Sequence, residues 1–370
     1  MKNSYFCKMK KKVNLVIVLL AIIALTTLDS CTETIEPVPA WNSACTGSYL
    51  PINENASATK ISFGSCGAQT LPQPLLSIAA DQNPDLYIFL GDNIYADTED
   101  METMRDEYKL LCTKEEFIEL KTSTPVLAVW DDHDYGYNDA GLEYPKKVEA
   151  KQIFMEFWGE TDNAERMSHT GIYDAKIIGE AGKRVQIILL DTRYFRTAIS
   201  TLAGNPFFYV ENFDPNATML GNEQWAWLEQ QLLKPADIRI IASSQQFCVE
   251  HNNYEAWANF PLEQEKMYDL IASTNASGVL FISGDVHYSE LSKREPSNTY
   301  PLYDLTSSGI TGTSTPVANQ YREGNASAIN NIGVIDIDWN GNATKINLSI
   351  LDQAETVLLE KEITLSDIQF

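Results

Sequence analysis

The chain has 370 residues, with 27 Lys and Arg against 51 Asp and Glu, a formal net charge of −24. At 44% hydrophobic and 10% aromatic residues it can bury a sizeable core, which sets it apart from a disordered acidic tail. The acidic excess argues against a nucleic-acid-binding module, whose phosphate contacts need Lys and Arg, and against adsorption to anionic membrane surfaces. It permits metal binding without establishing it.

The N-terminus points to export. Lys8, Lys10, Lys11 and Lys12 precede an apolar run from Val13 to Leu25 that is broken only by Asn14. This is short for a membrane span and suits the core of a signal peptide. Leu28-Asp29-Ser30-Cys31 resembles a bacterial lipobox, in which the Cys is lipidated after cleavage, although an Asp at the second position is unusual. The alternative is an ordinary signal peptide and secretion, with an incidental Cys. Loss of residues 1–30 removes five Lys and one Asp, so the charge becomes 22 − 50 = −28. Residues 31–58, rich in Pro, Thr, Asn and Ser, read as a flexible tether, and 59–370 as a single domain. Besides Cys7 and Cys31 the chain carries Cys45, Cys66, Cys112 and Cys248, without CxxC spacing. One disulfide is compatible with an exported protein, its connectivity open.

Six apolar runs follow in chain order, at 60–66, 85–92, 125–133, 185–191, 238–245 and 278–285. Nearly unbroken apolar runs predict strands buried on both faces. Helical patterns at 222–233 and around 262–274 lie between them, which makes the plan α/β. The tail alternates instead. Residues 334–339 and 344–350 flank Asn340-Gly341 and predict a hairpin, and a last strand is expected near 357–364.

The polar residues fall at the strand ends. The runs close in Cys66, in Gly91-Asp92-Asn93-Ile94-Tyr95, in Asp131-Asp132-His133-Asp134, in Asp191-Thr192-Arg193 and in Gly284-Asp285-Val286-His287. In open α/β sheets such loops converge at the carboxyl ends of the strands, where ligands collect. A strand often ends in an Asp that merely serves a turn, so the recurrence carries the inference rather than any single site.

FGSC at 63–66, GDNIY at 91–95, WDDHD at 130–134, LDTR at 190–193 and SGDVHYSEL at 283–291 resemble the calcineurin-like metallophosphoesterases, and within them the PhoD-type alkaline phosphatases. The resemblance implies a two-sheet β-sandwich flanked by helices, with antiparallel C-terminal strands. It also implies a metal-dependent phosphoester hydrolase acting on phosphate mono- or diesters. Cys66 stands where other metallophosphoesterases place an Asp. Asp92 is the expected bridging carboxylate, and Tyr95 echoes the Asp-x-x-Tyr arrangement that binds Fe(III) in purple acid phosphatases. His287 completes that first site. Asp285 and Asp132, with Asn138 as a further candidate, are expected around the second metal; Asp131 competes closely with Asp132. Thiolate and phenolate suit Fe(III), and an oxygen-rich site suits Ca(II). A water or hydroxide activated by the two metals would attack phosphorus in line. His133 would protonate the leaving oxygen or bind phosphate, and Arg193, with Arg196 as second choice, would clamp it.

A rival reading is a catalytically idle surface lipoprotein of this fold that binds a ligand or partner. Such a protein would be expected to have lost some of these residues, whereas Cys66, Asp92, Tyr95, His133, Asp285 and His287 are all present. The expected setting is a monomer, exported and held at a bacterial membrane, facing periplasm or exterior, only through a lipid anchor.

Overall fold

The apolar runs become strands whose neighbours explain their composition. The computed structural model describes residues 49–370. The signal peptide, Cys31, Cys45 and the first part of the tether lie outside the described residues. In chain order the strands are β1 (Lys60–Gly64), β2 (Leu86–Leu90), β3 (Val126–Val129), β4 (Asp174–Ile178), β5 (Val185–Leu189), β6 (Thr201–Leu202), β7 (Asn205–Tyr209), β8 (Ile238–Ala242), β9 (Val279–Ser283), β10 (Ser289–Arg294), β11 (Leu302–Ser307), β12 (Arg322–Ser327), β13 (Asn331–Asp338), β14 (Lys345–Asp352) and β15 (Val357–Thr364).

Two large mixed sheets result. One has the order β15-β14-β13-β1-β2-β3, the other β12-β10-β11-β9-β8-β5-β4, and β6-β7 is a separate hairpin. The centres are parallel, β1-β2-β3 in one sheet and β11-β9-β8-β5 in the other. The outer strands pair antiparallel. Strands β2, β5, β8 and β9 are buried along their whole length, which is why their sequences lack alternation. Helices Pro74–Asp81, Glu115–Ser123 and Lys147–Phe157 bury apolar faces in the same core, as do Gly221–Leu232 and Pro261–Ser273. This is the expected two-sheet α/β architecture.

The C-terminal hairpin lies where its alternation predicts. β13 pairs antiparallel with β1 and so extends the first sheet by three strands. From Tyr49 onward the stretch read as tether touches the body. The Tyr49 hydroxyl donates to the Phe157 carbonyl at 2.9 Å, and the Trp339 indole donates to the Ala58 carbonyl at 2.8 Å. Cys112 is disulfide-bonded, while Cys66 and Cys248 are free.

The sheets meet at one end. An isolated parallel bridge joins Ser65, just past β1, to Ser308, just past β11. Strand β1 is held there by close packing. A Cβ on Gly333 of β13 would lie 2.2 Å from the ring of Phe63, its cross-strand partner. Gly333→Ala should therefore lower the unfolding free energy by about 1–3 kcal/mol, as overpacked cores do, measured by urea denaturation.

Candidate metal centre

Loops from β1, β2, β3, β9 and β11 supply the site. Four of the expected residues sit at left-handed backbone angles, with φ of 60° at Cys66, 50° at Asp92, 72° at Asp285 and 57° at His287. Non-glycine residues held this way cost free energy and persist where the surrounding structure forces them. Gly91 makes the turn at Asp92 feasible. Its φ is +96°, and a Cβ there would lie 2.6 Å from the Asp131 backbone nitrogen.

The structure brings Cys66, Asp92, Tyr95 and His287 together in a first cluster. Ligand atoms of Cys66, Asp92 and His287 all lie within 4.8 Å of one another. Cys66 Sγ is 3.3 Å from Asp92 Oδ2, and the Tyr95 hydroxyl lies 3.4 Å from the same oxygen and 3.3 Å from His287 Nε2. Ser308 ties the cluster together: its Oγ accepts the His287 backbone N–H at 2.7 Å and sits 3.0 Å from Cys66 Sγ. His287 Nδ1 is 3.3 Å from the Gly312 carbonyl, which leaves Nε2 directed at the cluster.

The electrostatics mark the same point. Burial pushes the Cys66 thiol up, but the hydrogen bond and charge of His287 outweigh it and bring the pKa down to about 7. The Cys66 hydrogen bond and charge in turn lift His287 to about 9. Burial, then the charges of Cys66 and Asp132, push Asp92 well above the usual carboxylate range. Asp92 Oδ1 is buried without a hydrogen-bond partner. A buried carboxylate oxygen left this way is costly unless a cation faces it.

A second cluster adjoins the first. Asp92, Asp132 and His133 form one group of atoms within 4.8 Å, Asp131, Asp132 and Asp285 another, and Asp132, Asp139 and Glu255 a third. Asp132 belongs to all three. Burial would raise its pKa, yet the charges of Arg193 and His133 hold it below the ordinary range. Asp132 Oδ2 accepts the Asp139 N–H at 2.7 Å. Asp131 is occupied differently: its Oδ1 accepts from Arg193 Nε at 2.5 Å and from the Ser244 hydroxyl at 2.7 Å. Asp134 is a brace, accepting backbone N–H groups of Asp92 and Asp131. Asp131 Oδ2, like Asp92 Oδ1, is buried without a hydrogen-bond partner, and Asp131 shares a donor group with Asp132 and Asp285. Asn138 lines the same cavity as Asp285 and His287; its side-chain NH2 donates to Asp139 and its backbone N–H to Asp97.

His133 stands at the edge, its ring 4.5 Å from that of Tyr95. Burial pulls its pKa down, but the 2.7 Å hydrogen bond from Nδ1 to Asp97, aided by the charge of Asp132, lifts it to about 9.

Arg193 is not where a phosphate clamp needs to be. Its guanidinium is 0% exposed, with NH1 2.8 Å from one oxygen of Glu255, NH2 2.7 Å from the other, and Nε on Asp131. Arg196 is also buried, 3.1 Å from Glu255. Neither is among the residues that line the cavity. Asp191 receives the Trp130 indole N–H and the Arg193 and Tyr194 backbone N–H groups, so it shapes the loop. Asp97, Asp139 and Glu255 were missed from the sequence. None of the three is part of a recognised motif: Asp97 lies two residues past Tyr95, Asp139 follows Asn138, and Asn252-Asn253-Tyr254-Glu255 stands apart.

The fold and this double cluster together define a metallophosphoesterase-type protein. The chain belongs to the PhoD-like phosphatase family, which residues 73–332 match. Alkaline phosphatase D of Bacillus subtilis (strain 168) is 26% identical over 206 residues, 51% of this chain and 34% of that relative. The match thus spans about a third of the relative's length. A solved structure of PhoD superposes with a TM-score of 0.64 at 18% identity, over 86% of this chain and 70% of that one. The purple acid phosphatase PPD1 from yellow lupin (Lupinus luteus) seeds gives a TM-score of 0.54 at 12% identity, over 85% and 55%. At these identities the structural likeness is one of fold.

If Arg193 braces the site from within, removing it leaves Asp131 and Glu255 buried and uncompensated. Arg193→Met should then lower the unfolding free energy by about 3–5 kcal/mol, measured by guanidinium denaturation, an effect that a surface phosphate clamp would not have.

Proposed function

We propose that the chain hydrolyses phosphate mono- or diesters at a binuclear metal centre. The observation that carries this reading is the buried, unpartnered Asp92 oxygen at the junction of the two donor clusters. Cys66, Asp92, Tyr95 and His287 fit an Fe(III) ion, since thiolate and phenolate donate charge strongly. Asp132 and Asp285, with Asn138 beside them, fit Ca(II) by their oxygen donors. Asp92 belongs to both sets and would bridge them. When bound, the cations supply a lowered pKa for water and positive charge facing the phosphoryl oxygens. Ser308 and Gly312 hold Cys66 and His287 in orientation. His133, kept protonated by Asp97, donates a proton to the leaving oxygen. Arg193 supports the loop that carries Asp132 and His133 rather than touching substrate.

We read the protein as exported and anchored at a bacterial membrane through Cys31. The disulfide at Cys112 supports an oxidising compartment.

Elemental analysis of native protein should find iron and calcium, and chelation should abolish turnover of aryl phosphate mono- and diesters. Zinc at both positions would refute the thiolate–phenolate assignment, and no turnover with any metal would sink the hydrolase reading. Cys66→Ala should lose iron before calcium and lower turnover by roughly 10–100-fold. The pH profile tests His133. Its protonated form is the donor, so kcat should fall as pH rises through about 9. Asp97→Asn lowers that pKa and should move the alkaline limb to lower pH, with a smaller effect on KM.

A further inference from the structure

The loops that carry Cys66 and Tyr95 are laced together side by side. The Cys66 N–H donates to the Gly91 carbonyl at 3.3 Å, and the Gly67 N–H to the Asp92 carbonyl at 3.0 Å. Neither main-chain group of Tyr95 has a backbone partner among the described residues, and there a side chain continues the lacing. Gln69, 1% exposed, accepts the Tyr95 N–H at its Oε1, 2.9 Å away, and donates from its Nε2 to the Tyr95 carbonyl at 3.3 Å. The same Nε2 donates to Glu107 Oε2 at 2.6 Å, on the helix Met101–Leu111. The three partners fix the orientation of the amide, since the reverse would set its NH2 against an N–H and its oxygen against a carboxylate. A carboxylate also holds the amide more firmly than a neutral acceptor would.

One side chain thus pins both main-chain groups that flank the Tyr95 Cα, and this fixes the direction in which the ring leaves the backbone. A phenol is a long lever on its Cα, and a metal-binding group needs placement to about 0.5 Å. The Tyr95 hydroxyl at the end of that lever lies 3.4 Å from Asp92 Oδ2 and 3.3 Å from His287 Nε2. We propose that Gln69, clamped by Glu107, is a positioning residue that aims the Tyr95 phenol at the first cluster and keeps it aligned with the Cys66 thiol. It acts through the Tyr95 backbone. The proposal deepens the metal-centre reading, in which Tyr95 binds Fe(III), and rests on it.

Resonance Raman spectra of the iron-loaded full-length protein read the iron–phenolate bond directly, with Tyr95→Phe as the blank. Gln69→Met, close in volume and without the amide, should keep iron through Cys66, Asp92 and His287 but shift or weaken the tyrosinate bands. Its kcat should fall by about 10–100-fold, with KM changed less. Gln69→Glu sets two carboxylates together and should act in the same way. Gln69→Glu combined with Glu107→Gln re-forms the carboxylate–amide pair with the Tyr95 N–H still accepted, and should restore the bands and most of kcat. A role in folding alone would lower the unfolding midpoint and leave the bands of the folded protein unmoved. Unmoved bands in a folded, iron-bearing Gln69→Met protein overturn the proposal. If Gln69→Met does not fold, Glu107→Ala, at a half-buried helix position, should move the bands in the same direction by a smaller amount, and unmoved bands there overturn it equally. In the metal-free protein the Tyr95 amide should exchange with solvent about tenfold faster in Gln69→Met than in the unaltered chain. If the unaltered iron protein shows no tyrosinate bands, the iron assignment at Tyr95 falls, and the exchange ratio still decides whether Gln69 holds this segment: a ratio of one overturns that role.

Discussion

Arg193 lies fully buried between Asp131 and Glu255, with Asp132 3.8 Å away, and the geometry of the candidate centre hangs on that ion cluster. Several carboxylates crowded at one end of two sheets repel one another and lose their hydration. A guanidinium offers a planar fork that can hold two of them at once. By taking Asp131 and Glu255 it holds the β3 loop against the opposite sheet. Asp132 and His133 are then left beside Asp92. The Ser244 hydroxyl reinforces the arrangement from β8, and Asp134 repeats it on the β2 side by accepting the Asp92 and Asp131 N–H groups.

The same crowding leaves the centre poised for cations. Cys66, Asp92, Asp285 and His287 all hold left-handed backbone angles, and Asp92 keeps a buried oxygen unpartnered. A fold tolerates such features where packing elsewhere is strong, and here the two sheets share one apolar core that supplies it. The Cys66 thiol and the Tyr95 hydroxyl follow β1 and β2, Asp131 and Asp132 follow β3, and Asp285 and His287 both follow β9. The cavity beyond is lined by Asp139, Glu255 and Asp285 together with Tyr209, Tyr254, Tyr288 and His287.

Much of this was legible in advance. Cys66, Asp92, Tyr95 and His287 stood out because each ends an apolar run, and a strand end has few places to put a side chain. The C-terminal hairpin was legible because its alternation of period two is local. Arg193 was misplaced because a guanidinium in a motif looks the same whether it faces solvent or a buried carboxylate. Asp97, Asp139 and Glu255 were not legible: their partners, His133, Tyr209 and the two arginines, are 36, 70 and more than 55 residues away.

By itself the sequence determined the period of each strand and the kinds of donor that each loop end carries, because these depend on neighbours along the chain. Only the tertiary structure decided which carboxylates are braced by arginine and which remain for a cation, and which side chains wall the cavity. Charge compensation and burial depend on distances across the two sheets, and those distances exist only once the strands have paired.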